Sequence, residues 1–288
     1  MSDEFRVDLL EQYLKRELTD FSSIAHIERF SGGQSNPTYK ICTNIGDLVL
    51  RRRPFGQLLP SAHAVDREFQ VTSALHSASF PVAQPLLLCK DESIIGAWFY
   101  VMRYVEGRIF WDPTLPEVDP SQRHLIYEAS IKTLAHLSRL NTTQLNLSSY
   151  GKPTQYFGRQ IRRWTRQFNA SKAIKSLTEH LVVTDMLRLI DWLEKSYVKL
   201  NTDLREEEPS YHLAHGDFRL DNLIFHPHQP KVIAVMDWEL STIGHPLADL
   251  SYFMMALRLP RIEGAAVLSG LGSLDRAKIG IPNEEELI

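Results

Sequence analysis

The hydrophobic positions in the first third of the chain change their period several times. Apolar residues at helical spacing near the start predict an amphipathic first helix, and they are Leu9, Leu10, Tyr13, Leu14 and Leu18. Residues 24–53 then read as short strands separated by turn signals at 32–33 and 44–47. A second helix is predicted over 64–75, and the apolar stretch 94–105 predicts one buried strand. This part of the chain is therefore predicted to be a small, β-rich region.

Helical patterns dominate further along the chain. Asp119 is a candidate cap for a helix that begins at Pro120, and Thr184 precedes a further helical pattern. An acidic run at 206–208 predicts an exposed loop. Beyond it, short strands are predicted, each flanked by polar turns, and they lie at 211–214, 222–225 and 232–236.

Composition narrows the class of protein. The 288 residues are 43% hydrophobic and 23% charged, which is ordinary for a globular protein and allows two lobes. A net charge of -3 offers no overall attraction to nucleic acid or to an anionic membrane, and no apolar run approaches the roughly 18 residues of a membrane span. Cys42 and Cys89 form no CxxC pair, so we expect neither a disulfide framework nor a cysteine zinc site, and we expect a cytoplasmic location.

Candidate chemistry concentrates in the stretch HGDFRLDNLIF. It places His215, Asp217 and Asn222 on a loop that enters a strand, and a second strand ends at Asp237 after a turn at 226–230. Two strands joined by such a turn bring their far ends together, so Asp217, Asn222 and Asp237 should face one cavity. Carboxylate and amide oxygens are ligands that Mg²⁺ prefers, and the phosphates of a bound nucleotide commonly supply further ligands. We expect Asp221, by contrast, to be an ordinary turn residue.

The spacing from Asp217 to Asn222 repeats that of the protein-kinase catalytic loop. Together with VMDWE and HPLADLSYF, it resembles the aminoglycoside phosphotransferase family over residues 30–253, and these small-molecule kinases share a protein-kinase-like fold. FSGGQSNPTYKI, LVLRRRP, YFGRQIRRWTRQF and GIPNEEEL make the chain most similar to the kinase domains found alone or fused to acyl-CoA dehydrogenases. The resemblance implies an α+β, two-lobed fold with a small β-rich N-lobe over 1–104 and a larger, mainly helical C-lobe over 105–288.

The resemblance also implies roles for individual residues. Asp217 would be the catalytic carboxylate, Asn222 and Asp237 the Mg²⁺ ligands, and His215 and Asp249 the supports of the catalytic loop. Arg51 would grip the α and β phosphates with Glu68 as its helix partner, and Met102–Val105 would form the adenine hinge. The full nucleotide-binding set is Ser31, Gly32, Gly33, Gln34, Ser35, Asn36, Arg51, Glu68, Met102, Arg103, Tyr104 and Val105.

Three departures from the protein-kinase pattern qualify this assignment. The chain has no GxGxxG, and Arg51 stands where protein kinases have Lys, so Arg52 could share the role. Arg51 and Glu68 could equally be an exposed ion pair of little energetic consequence. Trp238 and Glu239 follow Asp237, so the DFG glycine is also replaced, which argues against activation-loop switching of the protein-kinase type.

A basic stripe, which consists of Arg159, Arg162, Arg163 and Arg166, falls on one face of a predicted helix. Two interpretations stay open. The stripe is either a solvated face or a site for an anionic substrate, and the resemblance to kinases associated with acyl-CoA dehydrogenases implies the phosphates of coenzyme A as the candidate. Two interpretations also stay open for three aromatic residues, which either line an acceptor pocket or pack in the core: Trp111, Tyr150 and Tyr156.

The sequence therefore predicts an ATP-dependent, Mg²⁺-dependent kinase that phosphorylates the hydroxyl of a small molecule. A hydroxyacyl-CoA ranks first as acceptor, ahead of an aminoglycoside, an amino alcohol or a sugar amine. One alternative is a catalytically degenerate nucleotide-binding regulatory module. Another is a zinc hydrolase built on the histidines at 212, 215, 226, 228 and 245. Nucleic acid and membrane are not expected as partners, and the choice of ATP or GTP and the oligomeric state stay open.

Overall fold

A computed structural model describes residues 5–30, 36–55, 64–174, 180–204, 212–262 and 269–287. The predicted turn at 32–33 and the acidic run at 206–208 lie outside these ranges. The helices are α1 Val7–Glu17, α2 Val65–Ser77, α3 Glu92–Ile95, α4 Pro120–Arg139, α5 Tyr156–Ile174, α6 His180–Leu204, α7 Pro246–Arg258 and α8 Glu284–Leu287. The strands are β1 Ile24–Arg29, β2 Thr38–Thr43, β3 Leu48–Arg52, β4 Pro85–Cys89, β5 Phe99–Arg103, β6 His212–Ala214, β7 Leu223–Phe225, β8 Val232–Val235 and β9 Thr242–Gly244.

The N-lobe is built on an antiparallel five-stranded sheet with the order β1-β2-β3-β5-β4. Alternate residues of its strands point to opposite faces, and one face carries a cluster of buried apolar side chains. Ile41, Leu50 and Phe99 are among its inaccessible side chains, and Leu10 and Leu14 of α1 pack against them in one hydrophobic cluster. The apolar stripe predicted for the first helix therefore covers the sheet that carries Arg51.

The predicted strand over 94–105 is wrong in its first part. Residues Glu92–Ile95 form the short helix α3, and only Phe99–Arg103 form a strand. Asp91 caps the helix by accepting a hydrogen bond from the amide of Ser93 at 2.9 Å, and Gly96 ends it in the left-handed region at φ 80°. In this segment the capping residues favour a short helix, although its apolar residues are typical of a strand.

The helices after the sheet follow the predicted order. Asp119 accepts a hydrogen bond from the amide of Ser121 at 2.9 Å, which confirms the predicted start of α4. α6 begins at His180, one turn before Thr184, so the predicted start of that helix is wrong. None of the helices in the described ranges is both long enough and apolar enough to cross a bilayer.

The chain divides into two compact units. The first contains Met1–Arg139, His215–Ser241 and Asp249–Ile288, and the second contains Leu140–Ala214 and Thr242–Ala248. The first unit therefore holds the N-lobe sheet, the hairpin of β7 and β8 and most of α7. The second holds α5, α6 and the short ladder of β6 with β9. The predicted lobe boundary at 104 and 105 stays a prediction.

Candidate active site

A buried carboxylate holds the loop that begins at His215. The backbone amides of His215 and Gly216 donate to the two carboxylate oxygens of Asp249, at 2.7 and 2.8 Å. Asp249 lies in the first turn of α7 and is only 3% exposed. Charge-assisted bonds of this kind are about twice as strong as neutral ones. Asp249 therefore fixes the backbone one residue before Asp217.

His215 joins this loop to the segment before Asp237. Its Nδ1 accepts from the amide of Asp217 at 3.1 Å, and its Nε2 lies 2.7 Å from the carbonyl oxygen of Met236. The two bonds together require the neutral tautomer that carries its proton on Nε2. The ring is fully buried and its centroid lies 4.6 Å from the ring of Trp238.

Gly216 allows the close approach of the two segments. Its φ is +87°, and a Cβ at this position would lie 2.8 Å from the carbonyl oxygen of Leu240. A side chain would therefore be strained in its backbone and would push against the turn after Asp237. Glycine is the residue that fits between His215 and Asp217.

The hairpin of β7 and β8 brings the predicted site residues together. The amide of Met236 donates to the carbonyl oxygen of Asn222 at 2.9 Å, which makes Asn222 and Asp237 neighbours at the end of the ladder. The side-chain amide nitrogen of Asn222 donates to Oδ2 of Asp217 at 3.0 Å. The amide oxygen of Asn222 is therefore the atom that remains to face a cation.

The oxygen donors at this point fit a hard cation. Asp237 has left-handed backbone angles, φ 61° and ψ 59°, which Asp tolerates better than most side chains. Its carboxylate and the amide oxygen of Asn222 match the small protein contribution to a typical Mg²⁺ site, where phosphates and waters supply the other ligands.

A zinc site finds no support in the part of the chain that the structure describes. Within it, no group of three or more His, Cys, Asp or Glu side chains is placed to hold a metal. His226 occupies the turn between β7 and β8, as predicted, and its Nδ1 accepts from the amide of His228 at 3.1 Å. Both ring nitrogens of His215 already bond to the backbone of the two loops described above.

Arg51 connects the sheet of the N-lobe to Asp237. Its Nε lies 2.8 Å from Oε2 of Glu68, and its Nη2 donates to Oδ1 of Asp237 at 2.6 Å. The side chains of Arg51 and Glu68 are 14% and 1% exposed. The interpretation of Arg51 and Glu68 as an exposed ion pair is therefore wrong, because the pair is buried.

Glu68 is held by more groups than Arg51 alone. Oε1 accepts from the amide nitrogen of Asn36 at 2.8 Å, and Oε2 accepts from the hydroxyl of Tyr100 at 3.1 Å. Burial raises the pKa of Glu68 to about 7; Arg51 opposes the rise, and the nearby carboxylate of Asp237 adds to it. The side chain of Asn36, predicted to contact nucleotide, is thus engaged with Glu68.

Arg52 does not share the position of Arg51. Successive side chains of a strand point to opposite faces, and the guanidinium of Arg52 lies 3.8 Å from the centroid of the Phe55 ring. It also donates to the hydroxyl of Tyr39 at 3.3 Å and to the carbonyl oxygen of Arg53 at 2.9 Å. The proposal that Arg52 assists Arg51 is therefore wrong.

A family model described as the phosphotransferase enzyme family matches residues 26–283. The chain belongs to this family. The human acyl-CoA dehydrogenase family member 11 is 43% identical over 283 residues, which cover 97% of this chain and 34% of that protein. The chain thus spans about a third of that relative, and the predicted similarity to kinase domains fused to acyl-CoA dehydrogenases is confirmed.

Solved structures show the same fold. The crystal structure of a "putative aminoglycoside phosphotransferase" from Ralstonia eutropha JMP134 has a TM-score of 0.79 at 37% identity, covering 98% of this chain and 78% of its own. The GDP and kanamycin complex of APH(2'')-IIIa has a TM-score of 0.58 at 17% identity, covering 96% and 84%. These likenesses confirm the predicted two-lobed, protein-kinase-like fold.

The predicted hinge of this phosphotransferase lies at the end of β5. Met102 and Arg103 still pair with β3, and the amide of Tyr104 donates to the carbonyl oxygen of Asp47 at 3.0 Å. The guanidinium of Arg103 donates to the carbonyl oxygen of Ile45 at 2.5 Å. All four hinge residues, 102–105, are half-buried, whereas Ser31, Gly32, Gly33, Gln34 and Ser35 lie outside the described residues.

Sequence reasoning missed a second set of contacts of Asp217. The guanidinium of Arg219 donates to Asp221 at 2.9 Å and lies 4.0 Å from Oδ1 of Asp217. Tyr252 of α7 is close enough to Asp217 and Arg219 for their charges to act on its hydroxyl. Burial raises the pKa of Tyr252, and the charge of Asp217 adds to the rise. Asp221, expected to be a plain turn residue, is thus an ion-pair partner. The opposite charges at 219 and 221 were the available signal, and Tyr252 offered none.

The basic stripe on α5 belongs to the second unit. Arg159 donates to the carbonyl oxygens of Lys152 and Ile243, at 2.7 and 3.3 Å. The other three arginines of the stripe, Arg162, Arg163 and Arg166, are exposed. Within the stripe, these three side chains are the exposed ones and are accessible to an anion. A role of the stripe in acceptor binding stays a prediction.

Proposed function

We propose that this chain is an ATP-dependent kinase that transfers the γ-phosphoryl group to the hydroxyl of a small molecule. The observation that supports it most is the convergence of Asp217, Asn222 and Asp237 at one end of the β7–β8 hairpin, with Arg51 bonded to Asp237. Phosphoryl transfer requires positioning and charge neutralisation more than covalent chemistry by the protein. This set of groups supplies both.

Each residue has a distinct task in this proposal. Asp217 accepts the proton of the acceptor hydroxyl, and such a base contributes about 10² to 10⁴-fold to the rate. Asn222 and Asp237 would hold Mg²⁺, and that ion neutralises phosphate charge when bound. Arg51, already oriented by Glu68 and Asp237, directs a planar cation toward the phosphates.

The predicted supports keep Asp217 in place. Asp249 holds the backbone of 215 and 216, and Asn222 holds the carboxylate of Asp217 itself. A misplacement of about 1 Å can cost a reaction about 100-fold, so these bonds matter for rate. His215 and Asp249 are positioning residues in this account, since they act through Asp217.

A hydroxyacyl-CoA is the proposed acceptor. The human relative that matches over 97% of this chain is named an acyl-CoA dehydrogenase family member, so a kinase region within such a protein is best matched to an acyl-CoA carrying a hydroxyl. The complex with GDP and kanamycin is 17% identical to this chain, so it supports the fold and gives no information on the acceptor.

The test uses purified protein, Mg²⁺ and ATP labelled on the γ-phosphate. Label should pass to hydroxyacyl-CoA esters and not to kanamycin, and Asp217→Asn and Asp237→Ala should each abolish most of the transfer. Asp185→Asn, which changes an exposed carboxylate of α6, is the matched control and should leave the rate unchanged. Full transfer by both active-site variants would refute the assignment.

One observation favours a degenerate nucleotide-binding module as the second candidate. Arg51 already engages the carboxylate that a metal would need. A module of this kind would bind ATP without Mg²⁺ and pass label to no acceptor. Thermal shifts with ATP alone and with Mg²⁺-ATP separate the two. A ligand that binds the folded state raises the free energy of unfolding, and it does so more strongly when its Kd is lower.

A further inference from the structure

A cavity of about 90 Å³ lies beside the catalytic loop in the first unit. We call it the α7 cavity, since one wall comes from the C-terminal half of α7, from Tyr252 to Ala256, and from Leu259 just after the helix. The other walls come from residues 110–113, from 219–221 of the catalytic loop and from Ser269. None of the residue roles described so far uses it.

The walls of the α7 cavity are mainly apolar. Phe110, Met255, Ala256 and Leu259 present carbon surface, and Trp111 lies at the cavity with half of its surface exposed. Burial of apolar surface of a ligand against such walls is favourable at roughly 25 cal/mol per Å². The cavity thus offers a place for a hydrocarbon group.

The charged groups at the cavity compensate each other. Arg219 and Asp221 form an ion pair whose side chains are 22% and 12% exposed. A polycationic sugar would therefore meet a carboxylate that already has a cation, while an uncharged aliphatic segment would break no existing pair. This argues for a neutral hydrocarbon and against an aminoglycoside in the α7 cavity.

The cavity is one side chain away from the predicted base. Tyr252 and Arg219 line it, and the guanidinium of Arg219 lies 4.0 Å from Oδ1 of Asp217. A ligand segment in the cavity could therefore continue directly to a hydroxyl at Asp217. Its size also limits what fits: a cavity of about 150 Å³ holds benzene, so this smaller one suits a short chain without a ring.

We infer that the α7 cavity binds a short aliphatic segment of the acceptor next to the hydroxyl that is phosphorylated, and that it limits the length of that segment. The inference rests on the proposed function and makes its acceptor more specific. Ala256 is the residue best placed to test it, because a larger side chain there would fill the cavity without altering a polar contact.

The kinetic test compares hydroxybutanoyl-, hydroxyhexanoyl- and hydroxydecanoyl-CoA as acceptors. For the wild type, kcat/KM should fall as the chain lengthens. Ala256→Leu should lower kcat/KM for the preferred ester by about tenfold or more, as one methylene does in an apolar pocket, with the KM for ATP unchanged. Ala135→Leu, at a half-buried position of α4 outside the cavity, is the control.

Enlarging the cavity should act in the opposite direction. Leu259→Ala should shift the preference toward the longer esters, again with the KM for ATP unchanged. If Ala256→Leu and Leu259→Ala both kept the chain-length profile of the wild type, the inference would be overturned while the proposed function stood.

A binding measurement separates this inference from the proposed function. Methionine methyl groups labelled with ¹³C report directly on Met255, and 1-butanol serves as the probe. Its addition should shift the Met255 signal in the wild type and not in Ala256→Leu. This result without transfer to any CoA ester would refute the proposed function and retain the cavity. No shift of Met255 in the wild type would overturn the inference.

Discussion

Two arginines near the site bind carboxylates in different ways. Arg51 reaches Asp237, which is 186 positions away in sequence, and Glu68 on α2. Arg219 pairs with Asp221, only two positions away, beside Asp217. The first network ties together three distant segments, whereas the second shapes one loop.

This difference separates the cost of losing each arginine. Glu68 is almost inaccessible, so removal of Arg51 leaves a buried carboxylate without its cation. Asp217, near Arg219, is 25% exposed and can be solvated. We therefore expect the Arg51 network to control stability and the Arg219 network to control the acceptor side of the reaction.

The largest expected effect comes from Asp217→Asn, which removes the proposed base on the acceptor side. We expect kcat to fall by about 10² to 10⁴-fold, while ATP binding and unfolding free energy change little. Label transfer and thermal shift with Mg²⁺-ATP measure the two properties. An equal loss of both would mean that Asp217 is a structural residue, and the comparison would fail.

Arg51→Ala should lower the free energy of unfolding by about 3 to 5 kcal/mol, because it leaves Glu68 buried without its cation. Arg219→Ala should cost about 1 kcal/mol or less, as partly exposed pairs do. Arg53→Ala is the control, since its pair with Asp66 is 26% and 30% exposed. Urea unfolding gives all three values, and equal costs at 51 and 219 would contradict the contrast.

The pKa of Glu68 makes the stability depend on pH. Burial raises it from 4.5 to about 7 in the folded protein, so between these values the folded state binds more protons than the unfolded chain. Stability should therefore fall as pH rises through this window. Glu68→Gln should remove this part of the slope in urea unfolding from pH 4.5 to 7, and an unchanged slope would show that Glu68 ionises normally.

The smallest effect is expected for Tyr252→Phe, which removes one hydroxyl from the Arg219 side. Asp217 and Arg219 act electrostatically on this hydroxyl, so its loss should cost about 1 kcal/mol or less, which lowers kcat by at most about fivefold. The pH profile of kcat should shift as well, since Tyr252 and Asp217 interact electrostatically, and a purely structural role would leave that profile in place. Steady-state rates across pH measure both.

The parts of the site that follow local sequence were predictable. Asp217 and Asn222 lie in one short motif, and the hairpin that carries Asn222 to Asp237 follows from its turn. The bond between Arg51 and Asp237 crosses 186 positions, and no pattern in either segment indicates it. Tyr252 was missed for the same reason, because its position beside Arg219 depends on how α7 packs.

The fold followed the same rule. The hydrophobic pattern predicted α1, α2 and the strands between them, but it did not predict β4. The cap at Asp91 and the left-handed Gly96 explain why α3 interrupts a stretch that reads as one strand. The grouping of α5 and α6 with β6 and β9 depends on tertiary packing. Hydrophobic periodicity indicates an element and its buried face, but not its partner.

The histidine between the two loops has a consequence for protein engineering. One imidazole ring is bonded to the amide of Asp217 and to the carbonyl oxygen of Met236, so neither loop can be repositioned without the other. Anyone who transplants the catalytic loop to another scaffold should move residues 215–238 as one cassette and supply a buried carboxylate where Asp249 stands. A graft of the loop alone would carry the proposed base, Asp217, without the segment that bears the proposed metal ligand, Asp237.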